Sequence, residues 1–222
     1  MRFDAIIFDF DGTIVDSEVT ANTLLAEQLT SLGLPTTLDQ ALDDYCGHSW
    51  HYCAGLIEER LGRTLPEGFL DRFYYTARDR HLREMRLIAG AEDFIAAHPH
   101  RGRAIASSND REWLTGCLDR LGIASHFGGH VYSAADLPRG KPHPDVYLHA
   151  ADAVGASPSR ALAIEDTPIG AQSAAAAGMT VVGLLAGGHV RDGHGERLSE
   201  AGAHHLVADY AELAALLADL ER

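Results

Sequence analysis

Five times along this chain a short apolar run stops abruptly, and this pattern constrains the fold more than any other feature of the sequence. The runs are Asp4 to Asp9 (DAIIFD), Arg103 to Ser107 (RAIAS), Ala161 to Glu165 (ALAIE), Thr180 to Leu185 (TVVGLL) and, more weakly, His205 to Ala208. Short runs without polar alternation read as strands buried on both faces. Helical patterns occupy Asp110 to Leu121, Pro144 to Val154, Pro168 to Ala177 and Tyr210 to Leu220. The second half therefore alternates strand and helix, as the crossovers of a parallel sheet do. The expected fold class is α/β, a doubly wound parallel sheet.

Between Asp16 and Leu87 the texture changes. No strand pattern appears there, and helical segments are read at Glu18 to Leu32, Ser49 to Leu61 and Glu67 to Met85. Parallel neighbours need a crossover of only about a dozen residues, so this stretch is an expected all-helical domain inserted after the first strand. The expected division is residues 16–87 against a core of 1–15 and 88–222. The run Ala174 to Ala177 suits close helix packing.

Charge narrows the partners. The chain of 222 residues carries 18 Lys+Arg against 32 Asp+Glu, a formal net charge of −14, and such a surface repels phosphate backbones, so nucleic acid is not expected. No apolar run approaches the ~18 residues of a membrane span. The N-terminal apolar stretch ends at Phe8, too short for a secretory signal, and only three cysteines are present. A cytoplasmic protein is expected, with no membrane partner, as a monomer or small homo-oligomer. Of the 18 basic residues 17 are arginine, and Lys141 is the single lysine. A compact ammonium and a forked guanidinium are not interchangeable, so that position is a candidate for a point-charge role.

Ligands of open α/β sheets bind at the carboxyl ends of the strands. Here the first strand ends in Asp9-Phe10-Asp11-Gly12-Thr13, the next in Ser107-Ser108-Asn109, and another in Glu165-Asp166. The loop before the Pro144 helix holds Arg139-Gly140-Lys141-Pro142. Carboxylates brought together stay ionised only beside a cation, and hard oxygen donors with room for water suggest Mg²⁺, which in turn invites a phosphate.

Asp9 to Glu18 (DFDGTIVDSE), Ser107, Lys141-Pro142-His143-Pro144 and Glu165-Asp166 before Gly170 together resemble the four motifs of the haloacid dehalogenase superfamily of phosphohydrolases, in order. The insert resembles the helical cap of its β-phosphoglucomutase and sugar-phosphatase branch. This resemblance implies a phosphatase for a small phosphorylated metabolite, such as a sugar phosphate or phosphogluconate. It makes Asp9 the nucleophile that becomes an aspartyl phosphate, and Asp11 the acid and then the base. It implies Mg²⁺ on Asp9, the Asp11 carbonyl and Asp166, with Glu165 ligating or close by. Ser107, Lys141 and the groups near Ser108 and Asn109 would hold phosphoryl oxygens. The resemblance places Gly47, His48, Ser49 and Trp50 in the loop that sets substrate choice, with Arg72 or Arg78 as further candidates. A mutase typically has an arginine where this chain has Trp50, which favours hydrolysis over the phosphomutase alternative. Dehalogenation would leave Asp11 and Asp166 without a role, and Schiff-base phosphonate hydrolysis needs a cap lysine that is absent. An inactive binding protein would be signalled by loss of Asp9 or Asp11, and both are present.

Simpler readings apply elsewhere. A calcium loop beginning at Asp9 would require glycine at 14 and glutamate at 20, where Ile14 and Thr20 stand. Cys46, His48, His51 and Cys53 match no common zinc spacing. Asp16 and Ser17 read as helix N-caps, and Asp166 stands at a cap position before Pro168 as well. Most arginines between Glu67 and Arg86 read as a solvated face. His189 and His194 read as loop histidines without a ligand role.

Overall fold

The structure, a computed structural model, describes residues 2–46 and 50–222, without the side chains of Trp50 and His51. The chain divides into two compact units, Met1–Val15 with Arg86–Arg222, and Asp16–Met85. The second junction falls between Met85 and Arg86, and just beyond it Leu87 bridges Val15 and the Ile88 N–H donates to the Ile14 carbonyl at 2.9 Å.

The first unit begins with β1 (Ala5–Phe8), whose four residues are all buried. The helical unit follows with α1 (Glu18–Ser31), α2 (Leu38–Tyr45), α3 (Trp50–Leu61) and α4 (Phe69–Glu84). The chain then returns through α5 (Ala91–Ala96), β2 (Gly102–Ser107), α6 (Arg111–Leu121), β3 (Val131–Ser133), α7 (Asp145–Ala153) and β4 (Ala161–Glu165). It ends with α8 (Pro168–Ala176), β5 (Thr180–Leu184), α9 (His194–Glu200), β6 (His205–Val207) and α10 (Tyr210–Leu220). All strand pairs are parallel, and the order is β3-β2-β1-β4-β5-β6. The direction of winding reverses between β1 and β4, so their carboxyl ends flank the crevice where open sheets bind ligands.

The two sheet faces differ in grain. On one, Ala5, Ala104, Ala106, Ala161 and Ala163 pack against Val146, Tyr147 and Ala150 of α7 and Ala171 and Ala174 of α8. Alanines dominate the sheet side, and on the helix side Ala150, Ala171 and Ala174 stand beside the larger Val146 and Tyr147. On the other, Phe8 meets Phe94 of α5 and Phe127 edge-on at 6.3 and 6.0 Å between ring centres, and Phe94 lies 5.5 Å from Tyr210 of α10.

The helical unit has its own core of Leu25, Leu29, Ala41, Tyr45, Ile57, Phe69 and Phe73. Helix α2 was absent from the sequence expectations, although Thr37 and Gln40 form a reciprocal capping box. Ser17 stands at the N-cap position of α1, but its side chain makes no capping hydrogen bond. Cys53 is buried in this core, where its thiol donates to the Tyr45 carbonyl and burial pushes its pKa up to about 11. That is the setting of a structural thiol and not of a metal ligand.

Candidate active site

Each strand end delivers the residues expected of it. β1 runs straight into Asp9, β4 ends at Glu165 with Asp166 next, and β2 ends at Ser107. One oxygen from each of Asp9, Glu165 and Asp166 lies within 4.8 Å of the others, and all three residues are buried. The Lys141 ammonium, only 5% exposed, donates to Asp9 Oδ1 at 2.7 Å and to Glu165 Oε1 at 2.6 Å. Its loop is tied down twice: Arg139 grips Asp145 through Nη2 to Oδ2 at 2.8 Å, and Ser173 Oγ donates to the His143 carbonyl at 2.6 Å.

Charge in this pocket does not balance by itself. Burial pushes the Asp9 carboxyl well above its ordinary range, and Glu165 and Asp166 push it further, with Lys141 opposing. Burial pulls Lys141 down, but Asp9 and Glu165 outweigh it and hold the ammonium firmly protonated. With all three carboxylates ionised, one ammonium would leave two negative charges in a desolvated place. A divalent cation with a preference for hard oxygen donors fits that deficit.

Glu165 is saturated by its neighbours. Oε1 accepts from Lys141 and from the buried Tyr147 hydroxyl at 2.7 Å. Oε2 accepts from the Asp166 and Thr167 amides and the Thr167 hydroxyl at 3.2, 3.1 and 3.0 Å. Asp166 receives Thr13 Oγ1 on Oδ1 at 3.0 Å. Asp166 is not the cap of α8: Thr167 takes that place and accepts from the Gly170 amide.

Two glycines are explained by these carboxylates. Gly12 has φ +74, and a Cβ there would stand 1.9 Å from Asp166 Oδ2. A Cβ on Gly170 would stand 1.7 Å from Glu165 Oε1.

Asp11 is half-buried and accepts the Asn109 side-chain amide on Oδ2 at 2.6 Å. The Asn109 N–H donates to Ser107 Oγ at 3.2 Å, which leaves the Ser107 O–H free to donate elsewhere. Ser108 is exposed beside them. In the helical unit Arg72 is exposed and donates to the Glu67 carbonyl, and Arg78 donates to the Tyr74 hydroxyl with its guanidinium over that ring. The expected roles of Gly47, His48, Ser49 and the Trp50 side chain lie outside the described residues.

Four contributors were not expected from the sequence. Tyr147 braces Glu165, and Tyr210 donates from α10 to the Thr13 carbonyl at 2.9 Å. The histidines read as bland loop residues are both buried against Asp166. His189 Nε2 lies 3.0 Å from Asp166 Oδ2, and His194 Nε2 lies 2.5 Å from the Asp166 carbonyl. Burial lowers the His194 pKa. Since a carbonyl only accepts, its Nε2 carries the proton, while Nδ1 faces Arg197 Nη2 at 3.3 Å.

The sequence signature of haloacid dehalogenase-like hydrolases matches residues 3–178. The chain belongs to the haloacid dehalogenase-like hydrolase family. Within it, the chain is similar to the putative phosphatase YhcW of Bacillus subtilis, with 32% identity over 184 residues covering 80% of this chain and 81% of that one. It is 25% identical over 189 residues to the 6-phosphogluconate phosphatase of Escherichia coli, covering 85% of each chain. A crystal structure of a family hydrolase from Deinococcus radiodurans R1, with bound phosphate and sodium, superposes with a TM-score of 0.86 at 31% identity, covering 98% of this chain and 96% of that one. Among the described residues, no helix is long and apolar enough to cross a membrane.

Proposed function

We propose that this phosphatase hydrolyses a phosphorylated sugar or sugar acid in a Mg²⁺-dependent reaction through an aspartyl phosphate on Asp9. The observation that carries the reading is the pair of short contacts from the single lysine to Asp9 and Glu165, in a cluster whose net charge calls for a divalent cation. The substrate class is supported by the similarity to a 6-phosphogluconate phosphatase.

In this reading a carboxylate oxygen of Asp9 attacks phosphorus as the bond to the leaving alkoxide breaks, and Asp11 gives that alkoxide a proton. Asp11 then takes a proton from the water that attacks phosphorus, which releases inorganic phosphate and restores Asp9. Lys141 aligns Asp9 and offers charge to the transferring group, and the Ser107 hydroxyl donates to a phosphoryl oxygen. Asp9, the Asp11 carbonyl and Asp166 are the proposed Mg²⁺ ligands. Glu165, with both oxygens engaged by other donors, positions Lys141 instead of ligating. When bound, Mg²⁺ supplies the charge neutralisation that lets a dianionic phosphate approach these carboxylates. We assign substrate selection to the helical unit, through residues 47–50.

The test is a screen of phosphorylated sugars, sugar acids, nucleotides and polyol phosphates for release of inorganic phosphate. Activity should depend on Mg²⁺ and vanish in Asp9→Asn with the fold intact. A tenth or more of wild-type kcat in that variant, or undiminished turnover in EDTA, refutes the reading.

A further inference from the structure

The loop after β5 reads Leu185-Ala186-Gly187-Gly188-His189 and leads to His194 at the start of α9. Nothing in the chemistry above uses these histidines, yet both are buried beside one carboxylate residue. The His189 side chain is 2% exposed and its partner Asp166 is fully buried. Nε2 faces Oδ2 at 3.0 Å, on the far side of the carboxylate from Thr13, which holds Oδ1 at the same distance. His194 takes the main-chain oxygen of the same residue, and the two rings meet edge to face at 5.4 Å between centres. The loop is built to allow this approach: a Cβ on Gly187 would fall 2.6 Å from His189 Cε1 and Nδ1, and one on Gly12 would fall 2.8 Å from His189 Cε1.

We propose that His189 is a positioning residue for the metal site, fixing the Asp166 carboxylate by a contact from Nε2 to Oδ2 while His194 fixes its backbone. The inference rests on the reading of Asp166 as a Mg²⁺ ligand. His189 is not itself among the residues whose ligand atoms converge, which are Asp9, Glu165 and Asp166. A carboxylate offers about four lone-pair directions. Thr13 donates to Oδ1, and His189 Nε2 stands within ion-pair distance of Oδ2, so each carboxylate oxygen faces a fixed neighbour. An aspartate held this way needs no rotamer search when the ion arrives, and outer partners of metal ligands exert their effect through such orientation.

The experiment measures Mn²⁺ affinity directly, by the electron paramagnetic resonance signal of free Mn²⁺ titrated with protein, without substrate. His189→Leu, which keeps bulk and removes the donor, should weaken binding by about 10–100-fold, and His189→Gln, which places an amide N–H near the position of Nε2, should restore it to within about threefold of wild type. Should His189→Leu fail to fold, His189→Met against His189→Gln makes the same comparison between side chains of nearly equal length. A side chain acting only as filler would not separate Gln from Met or Leu. Wild-type affinity in the Leu and Met variants overturns the inference and leaves the Mg²⁺ reading intact. Absence of Mn²⁺ binding by the wild type overturns both. A nitrogen hyperfine coupling that shows imidazole bound directly to Mn²⁺ overturns the positioning role in favour of ligation.

Discussion

Gly170→Ala separates two physical arguments by the sign of the outcome. Gly170 lies within α8, and helix propensity alone favours alanine there by about 0.8–1 kcal/mol. The structure opposes this, because the new Cβ would stand 1.7 Å from Glu165 Oε1, 2.0 Å from Cδ and 2.3 Å from Oε2. Ordinary contact requires the carboxylate to retreat by more than an ångström. Moving that far breaks at least the bonds from Lys141 and Tyr147, now 2.6 and 2.7 Å long. Bonds to a charged group contribute about 1.5–3 kcal/mol each, so the loss less the propensity gain is about 2–5 kcal/mol. Urea denaturation of both proteins reads this as a lower midpoint with an unchanged slope. Lys141 loses one of its two carboxylate anchors as well, so phosphatase activity should fall in step. A variant as stable as the parent or more stable would show that Glu165 relaxes without cost, and the tightly braced site described above would be wrong.

Other expectations concern single side chains. Lys141→Arg should lower kcat by about 10²–10³, about 2.7–4 kcal/mol, since a planar guanidinium does not fit where the ammonium touches two buried carboxylates; near-normal kcat/KM would make the lysine incidental. Arg101 beside Glu221 holds that carboxyl below its ordinary value of 4.5, so the pair's contribution is present above that value and fades as pH falls through the lower folded one. Glu221→Gln should therefore cost about 1–2 kcal/mol at pH 7 and little in strong acid, and a deficit undiminished by acid would remove the ion pair as its cause. Incubation with a hexose 1-phosphate and a bisphosphate primer should yield inorganic phosphate faster than isomerised hexose phosphate; the reverse makes the enzyme a mutase, and Trp50→Arg should shift products in that direction.

The strand ends were legible because an apolar run that stops at a carboxylate marks both the strand and the residue it delivers, as at Phe8-Asp9 and Ile164-Glu165. Elements too short to establish a period were not. β3 offers only Val131–Ser133, and α5 only Ala91–Ala96. A readable signal for α2 existed in Thr37-Leu38-Asp39-Gln40, a capping pair at the right spacing. The bracing around the site has no local signal at all. Tyr210 reaches Thr13 across 197 positions and His194 reaches Asp166 across 28, so both contacts exist only once the sheet has assembled. A glycine-rich loop with histidines looks mobile in a sequence. Here its glycines serve close approach.

The alanine face of the sheet makes this protein's tolerance to change directional. Where Ala5, Ala104, Ala106, Ala161 and Ala163 meet α7 and α8, truncation has almost nothing to remove, and added bulk must displace fully buried neighbours. The aromatic face around Phe8, Phe94 and Phe127 has the opposite character: it loses much when trimmed. Enlargement on the alanine side acts as a wedge under α7, the helix that holds Tyr147 against Glu165 and follows the loop of Lys141. Drift toward bulkier residues there would reach the chemistry through leverage, at positions that never touch a substrate.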